Sequence, residues 1–246
     1  MKQDVLIERR ATAGPLVALA KAPETVAGLA SHVLQTPVNG AIRRHGHCNL
    51  VLAGGSTPRA VYERLATCDI DWSRVSVWFG DERCVPPDHP SSNFRMAKES
   101  LLSRVPIPAS QVHRIRGELP PEQAAAEYAA LLADARLDIV LLGMGDDGHT
   151  ASLFPGGPEL DSDERVVVTR SPIPPTDRVS MTLRTINEAR FVLFLVSGGA
   201  KAARIAEVFE QRRSGNPVLP SARVEPVSRE LIWMMDEAAG ALLTAA

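Results

Sequence analysis

Residues 141–156 read LLGMGDDGHTASLFPG, an apolar run that breaks into glycines and then gathers Asp146, Asp147 and His149 in a turn too short to pack much. Histidine is the side chain whose unperturbed pKa, about 6.5, lets it accept a proton near neutrality. A lone histidine is most often structural. One that leaves a strand in GDDGH is a candidate general base, with Asp147 two residues away to orient or polarise the ring or to bind a substrate hydroxyl. Asp146 has less to do and is expected to face solvent.

Two further stretches offer complementary chemistry. In GDERCVPPDHPSSN, residues 80–93, Asp81, Glu82 and Arg83 leave an apolar run together. Arg83 could hold a developing oxyanion, and Asp81 could orient it or bind a hydroxyl. The plainer alternative is a surface ion pair at a strand end, and His89 among its prolines is read as a solvated loop residue. In GGSTP, residues 54–58, Gly54 and Gly55 allow close backbone approach, Ser56 and Thr57 can cap, and Pro58 suits a first helical turn. Free amides at that turn would favour a phosphate, although a capped strand-to-helix turn explains the same residues. It is neither a P-loop, lacking GKS or GKT, nor GxGxxG. Arg178, and Lys201 after SGGA, could close an anion site, the one by a planar fork and the other by a point charge.

These loops need a frame, and the sequence supplies one. CNLVLAG (48–54), RVSVWFG (74–80), LDIVLLG (137–143), RFVLFLVSG (190–198) and ELIWMMD (230–236) are short and nearly continuously apolar, as strands covered on both faces are. Helical patterns separate them: TPRAVYERLAT, SSNFRMAKESLLSRV, PPEQAAAEYAALLADA and AKAARIAEVFEQRR. The alternation predicts an α/β fold with a parallel sheet between helices. Residues 171–183 read as a proline-rich loop feeding a strand, and residues 212–224 as a loop with a short extended end. In such sheets ligands sit outside the carboxyl ends of the strands, where the informative loops all emerge.

The 246 residues, 45% hydrophobic, suit one domain, 1–246. The 27 basic and 29 acidic residues are mixed along the chain, so the balance points away from nucleic acid and anionic membrane and toward a small-molecule partner. No apolar run is long enough to span a bilayer, and MKQDVLIERR lacks the apolar stretch of a signal peptide, so a cytoplasmic location is expected. Cys48, Cys68 and Cys84 show no CxxC spacing and read as reduced structural thiols. No metal-ligand or GxSxG pattern is present, and no heptad argues for more than a monomer.

Taken in order, GGSTP, GDERCVPPDHPSSN, GMGDDGHTASLFPG, PTDRVSMT and SGGAKA resemble the 6-phosphogluconolactonase family, part of a wider group with glucosamine-6-phosphate deaminases. The resemblance runs from about residue 20 to the WMMD stretch. It implies a three-layer αβα sandwich with a mostly parallel, Rossmann-like sheet, and hydrolysis of 6-phospho-D-glucono-1,5-lactone to 6-phosphogluconate without a cofactor or metal. By the same resemblance the general base is His149, the motif aspartate Asp147 and the catalytic arginine Arg83. The phosphate loop falls on Gly55, Ser56 and Thr57, beside Gly54. Arg178 and Lys201 fall at phosphate-contacting positions, and Asp81 and Asn93 at motif positions expected to meet substrate.

Two other readings compete. An aminosugar-phosphate deaminase would place a further acidic residue closely after the histidine, but here TASLFPG follows and no carboxylate comes before Glu159. A sugar-phosphate-sensing regulator would be expected to carry a DNA-binding module, for which the segments outside the resemblance are short.

Overall fold

The computed structural model describes residues 5–9 and 14–243. Its strands are β1 (Val5–Arg9), β2 (Leu16–Ala20), β3 (Cys48–Leu52), β4 (Val75–Phe79), β5 (Asp81–Arg83), β6 (Ile139–Leu142), β7 (Val166–Arg170), β8 (Asp177–Met181), β9 (Phe191–Val196) and β10 (Leu231–Asp236). Its helices are α1 (Pro23–His45), α2 (Ser56–Leu65), α3 (Asn93–Ala97), α4 (Pro121–Leu132), α5 (Leu183–Asn187) and α6 (Ala202–Ser214).

The main sheet runs β1-β2-β10-β9-β6-β3-β4, with six parallel strands and β1 antiparallel on one edge. All five strands expected from the sequence are in it. Every residue of β4 and β6 is buried, which is why their sequences are apolar without alternation. Helices flank the sheet to give the three-layer α/β arrangement. α1 and α2 pack together against it, and α6 sets Phe209 edge-on against Trp233 of β10, which also stacks on Phe194 of β9. No helix among the described residues is long and apolar enough to cross a membrane.

From β3 the chain steps outward to β4, then returns to the other side of β3 for β6. The connections therefore diverge between β3 and β6, opening a crevice at their carboxyl ends. Gly54 and Gly143 face each other there. A Cβ on Gly143 would lie 3.9 Å from the Gly54 carbonyl oxygen.

Three features depart from the sequence expectation. A second, antiparallel sheet, β5-β8-β7, grows from the end of β4 through Gly80. Only β8 was legible, because β5 has three residues and carries charge. The longest helix, α1, occupies a stretch to which sequence pattern assigned no element, with Pro37 inside it. Residues 212–224 contain no strand: α6 continues to Ser214, Pro220–Arg223 forms a 3₁₀ turn, and the extended end is confined to Val224. Side chains curl this segment, since Gln211 Oε1 accepts the Val218 and Leu219 N–H groups and Arg212 Nη1 donates to the Ala222 and Val224 carbonyls.

Two buried tyrosines clamp the points where chain leaves sheet. Tyr62 of α2 donates its hydroxyl to the Ala53 carbonyl and accepts the Ala53 N–H, both at 2.8 Å. Tyr128 of α4 does the same to Phe79, at 2.9 and 2.8 Å. Tyr62→Phe should orphan two buried backbone groups and cost about 1–3 kcal/mol in denaturant unfolding. An unchanged midpoint would show that the clamp adds nothing.

Candidate active site

Loops from β3, β4, β6 and β9 meet around a cleft of about 260 Å³, whose lining includes Gly55, Thr57, Arg83, His149, Ser197 and Lys201. Four separate stretches of the sequence thus converge on one end of the sheet.

The turn after β6 is closed by its own backbone. The Gly145 N–H donates to the His149 carbonyl at 2.9 Å, and the Gly148 N–H to the Gly145 carbonyl at 3.1 Å. Gly148 has φ +85°, a left-handed conformation that suits glycine. Inside this turn Asp147 Oδ1 lies 2.6 Å from His149 Nδ1 and also accepts the His149 backbone N–H at 3.0 Å. Partial burial would push the Asp147 carboxyl up, but the His149 amide, charge and ring together hold it below the usual carboxylate range. An ionised Asp147 accepts a hydrogen bond from Nδ1–H of the neutral tautomer, which leaves the Nε2 lone pair available. Gly145 is required by contact: a Cβ there would sit 2.1 Å from the imidazole Nδ1 and Cε1. Phe154 closes the other side, its ring centroid 4.8 Å from that of His149.

Across the cleft, α2 begins. Sequence reading allowed Ser56 or Thr57 to cap it, but the capping position is Gly55, at φ +108°, and no side chain caps the helix. A capping side chain would occupy the amides that an anion needs. Pro58 is the third helical residue and has no N–H, so the first-turn donors are those of Ser56 and Thr57. Lys201 arrives from the turn after β9. Its Nζ is 2.5 Å from Asp146 Oδ1, so Asp146 is exposed, as expected, but not without a partner.

The DER stretch is not a surface ion pair. Asp81 and Glu82 are both buried. Glu82 accepts the N–H groups of Arg83, Asn93 and Phe94 and the Ser92 hydroxyl, at 2.7–3.0 Å. Burial pushes its carboxyl up, and those amides pull it back. Asp81 accepts the Ser152 hydroxyl at 2.6 Å and the Asn93 amide at 3.1 Å. Arg83 is held by Nη1 donating to the Ser91 carbonyl at 2.7 Å, not by Asp81.

Several expected contacts are therefore placed differently. Asn93 is buried outside the cleft lining, with its amide on Asp81. Gly54 lines the cleft, yet its missing side chain makes room for Asn93, since a Cβ would lie 2.1 Å from Asn93 Oδ1. Arg178 also lies outside the lining, directly opposite Arg83 in the β5–β8 pair, with Nε donating to the Pro175 carbonyl at 2.8 Å. Burial and then the Arg83 charge lower its pKa. The charges of Asp81 and Glu82 act in the opposite direction and offset part of that effect. The cysteines are free, as read.

Sequence reading missed Ser152, which has no motif value by itself, and Asp236. Asp236 accepts the Gly198 N–H through both oxygens, at 3.0 and 3.1 Å, and the Ala239 N–H at 2.7 Å. It thereby fixes the turn that delivers Lys201. Its only signal was a carboxylate ending an apolar strand.

An aspartate-held imidazole facing helix amides and cations at a parallel sheet's carboxyl edge defines an α/β protein able to exchange protons with a small anionic ligand. The family model for glucosamine-6-phosphate isomerases/6-phosphogluconolactonase matches residues 21–233. A 6-phosphogluconolactonase of Nostoc sp. is 38% identical over 222 residues, 86% of this chain and 91% of that one. The human 6-phosphogluconolactonase is 45% identical over 181 residues, 70% and 69% of the two chains. A crystal structure of 6-phosphogluconolactonase from Thermotoga maritima superimposes with a TM-score of 0.81 at 32% identity, covering 89% of this chain and 98% of that one. The chain belongs to the glucosamine-6-phosphate isomerase/6-phosphogluconolactonase family.

The depressed Asp147 pKa fixes a sign. Its contribution to stability is complete above the unfolded carboxylate value of about 4 and is lost as pH falls through the lower folded value. The melting-temperature advantage of wild type over Asp147→Asn should therefore vanish at strongly acid pH. An advantage that persists there would rule out the ionised pair as its source.

Proposed function

We propose that this protein hydrolyses 6-phospho-D-glucono-1,5-lactone to 6-phosphogluconate, the second step of the oxidative pentose phosphate pathway. The observation that carries the reading is the 2.6 Å Asp147–His149 contact at the rim of a cleft whose far wall is the uncapped start of α2. The family's relatives named 6-phosphogluconolactonase support the same reaction.

A lactone is an activated ester. Its hydrolysis needs a water nucleophile, a base, charge stabilisation at the tetrahedral oxyanion and a proton for the departing ring oxygen. His149 Nε2 takes a proton from water as the oxygen attacks C1, while Asp147 keeps the Nδ1 proton in place and stabilises the resulting imidazolium. The guanidinium of Arg83 faces the growing charge on the carbonyl oxygen. When the C1–ring-oxygen bond breaks, imidazolium returns its proton to the leaving oxygen, and the product ionises to a carboxylate in water. The phosphate rests on the Ser56 and Thr57 amides and Lys201, with Gly55 permitting the approach. Arg178 adds positive potential from behind Arg83, while Asp81, Asn93 and Gly54 position the loops. No metal or cofactor has a part in this scheme.

The deaminase alternative is disfavoured by the residues that follow His149. The first carboxylate after His149 is Glu159, outside the cleft lining on the 3₁₀ turn Pro158–Asp161. The hydrolase reading goes with a single-domain monomer acting in the cytoplasm on a diffusible sugar phosphate, to which the balanced charge is suited.

The test is 6-phosphogluconate formation from freshly made lactone, coupled to an NADP-linked dehydrogenase and corrected for spontaneous hydrolysis. Wild type should exceed the blank, and His149→Ala should lower kcat by at least about 10²–10⁴-fold. Near-normal turnover in His149→Ala would refute the base assignment, and wild type at the blank rate would refute the reaction.

A further inference from the structure

The turn that presents His149 contains a second aspartate for which the proposed reaction has no use. Asp146 has a side chain 78% exposed, and its Oδ1 lies 2.5 Å from Nζ of Lys201, a cleft-lining residue whose side chain is 22% exposed. Its backbone is fixed separately: the Asp146 carbonyl accepts Arg204 Nε–H at 3.1 Å from α6, and the next residues are locked by the closed turn. The carboxylate can therefore swing out to water without moving Asp147 or His149. An ion pair with one largely exposed partner is weak. A phosphate carrying up to two charges, and seated on helix amides as well, displaces it.

We propose that Asp146 sets the affinity of the cleft for phosphorylated ligands by competing with the phosphate for Lys201. This rests on the reading of Lys201 as a phosphate contact. Before substrate binds, the ammonium is neutralised by Asp146. Once phosphate takes the ammonium, the freed carboxylate remains nearby as a like charge. Both effects weaken ligand binding without touching the reacting carbonyl, and they act equally on substrate and product. The consequence is looser product and faster clearance of the cleft, at some loss of affinity for substrate.

The test is calorimetric titration of 6-phosphogluconate into wild type, Asp146→Asn, Lys201→Ala and the double variant at low ionic strength. Unfolding midpoints would be measured alongside to verify folding. Asp146→Asn should bind on the order of threefold to tenfold tighter, as expected for removing one solvent-screened competing charge. Lys201→Ala should bind more weakly, and most of the gain from Asp146→Asn should disappear in its background. If Lys201→Ala weakens binding while Asp146→Asn leaves it unchanged or weaker, the competition is overturned and the phosphate assignment stands. A full gain from Asp146→Asn in the Lys201→Ala background would also overturn it. If Lys201→Ala binds as wild type does, Lys201 is no phosphate contact, and the proposal falls together with that assignment.

Discussion

One buried polar chain holds the cleft together. Ser152, three residues past His149, donates to Asp81 at the start of β5, just beyond β4; Asp81 in turn accepts the amide of Asn93; and Asn93 lies against the bare Cα of Gly54 after β3. The chain links three loops that emerge from three strands. Its members are at most a few per cent exposed, apart from Gly54, so each lost partner would leave a buried polar group unpaired. The spacing between the histidine turn and the start of α2 depends on this connection more than on any contact made by the functional groups themselves.

The same solution recurs at other strand ends. Glu82 gathers the amides that start α3, Asp147 takes both the amide and the ring of His149, and Asp236 takes the amide of Gly198. In each case a carboxylate fixes a glycine-rich or polar turn too small to be held by apolar packing. Apolar strands set where the loops begin, and hydrogen-bonded acids set where they go. The cations are handled in the opposite way. Arg83 and Arg178 make hydrogen bonds to carbonyls, Ser91 and Pro175, which orient their guanidiniums, while the charges of Asp81 and Glu82 act on Arg178 from nearby without a direct ion pair.

Five of the seven strands of the main sheet were legible because parallel strands buried on both faces are nearly continuously apolar, and β4 and β6 are buried at every position; β1 and β2 were assigned no element. Within the site, the GDDGH turn and the glycines before α2 were legible because their function is local: Asp147 reaches His149 across a single intervening residue. Contacts that depend on two distant segments were not. Nothing local distinguishes Ser152 from any other serine, or marks Asn93 as the reason for Gly54, because those pairings exist only after β3, β4 and β6 are brought side by side. The small sheet was hidden for a related reason. β5 is a three-residue charged strand whose pairing with β8 is specified by Gly80 and by burial of its acids rather than by hydrophobic pattern.

With the reacting carbon at His149 and the phosphate at α2, the sugar can lie across the cleft in one direction only. A crystal structure of the complex with 6-phosphogluconate tests that directly. It should show the phosphate on the Ser56 and Thr57 amides and the C1 carboxylate within hydrogen-bond reach, about 3 Å, of His149 Nε2. A sugar bound in the reverse sense, with its phosphate beside His149 and its carboxylate at α2, would contradict it.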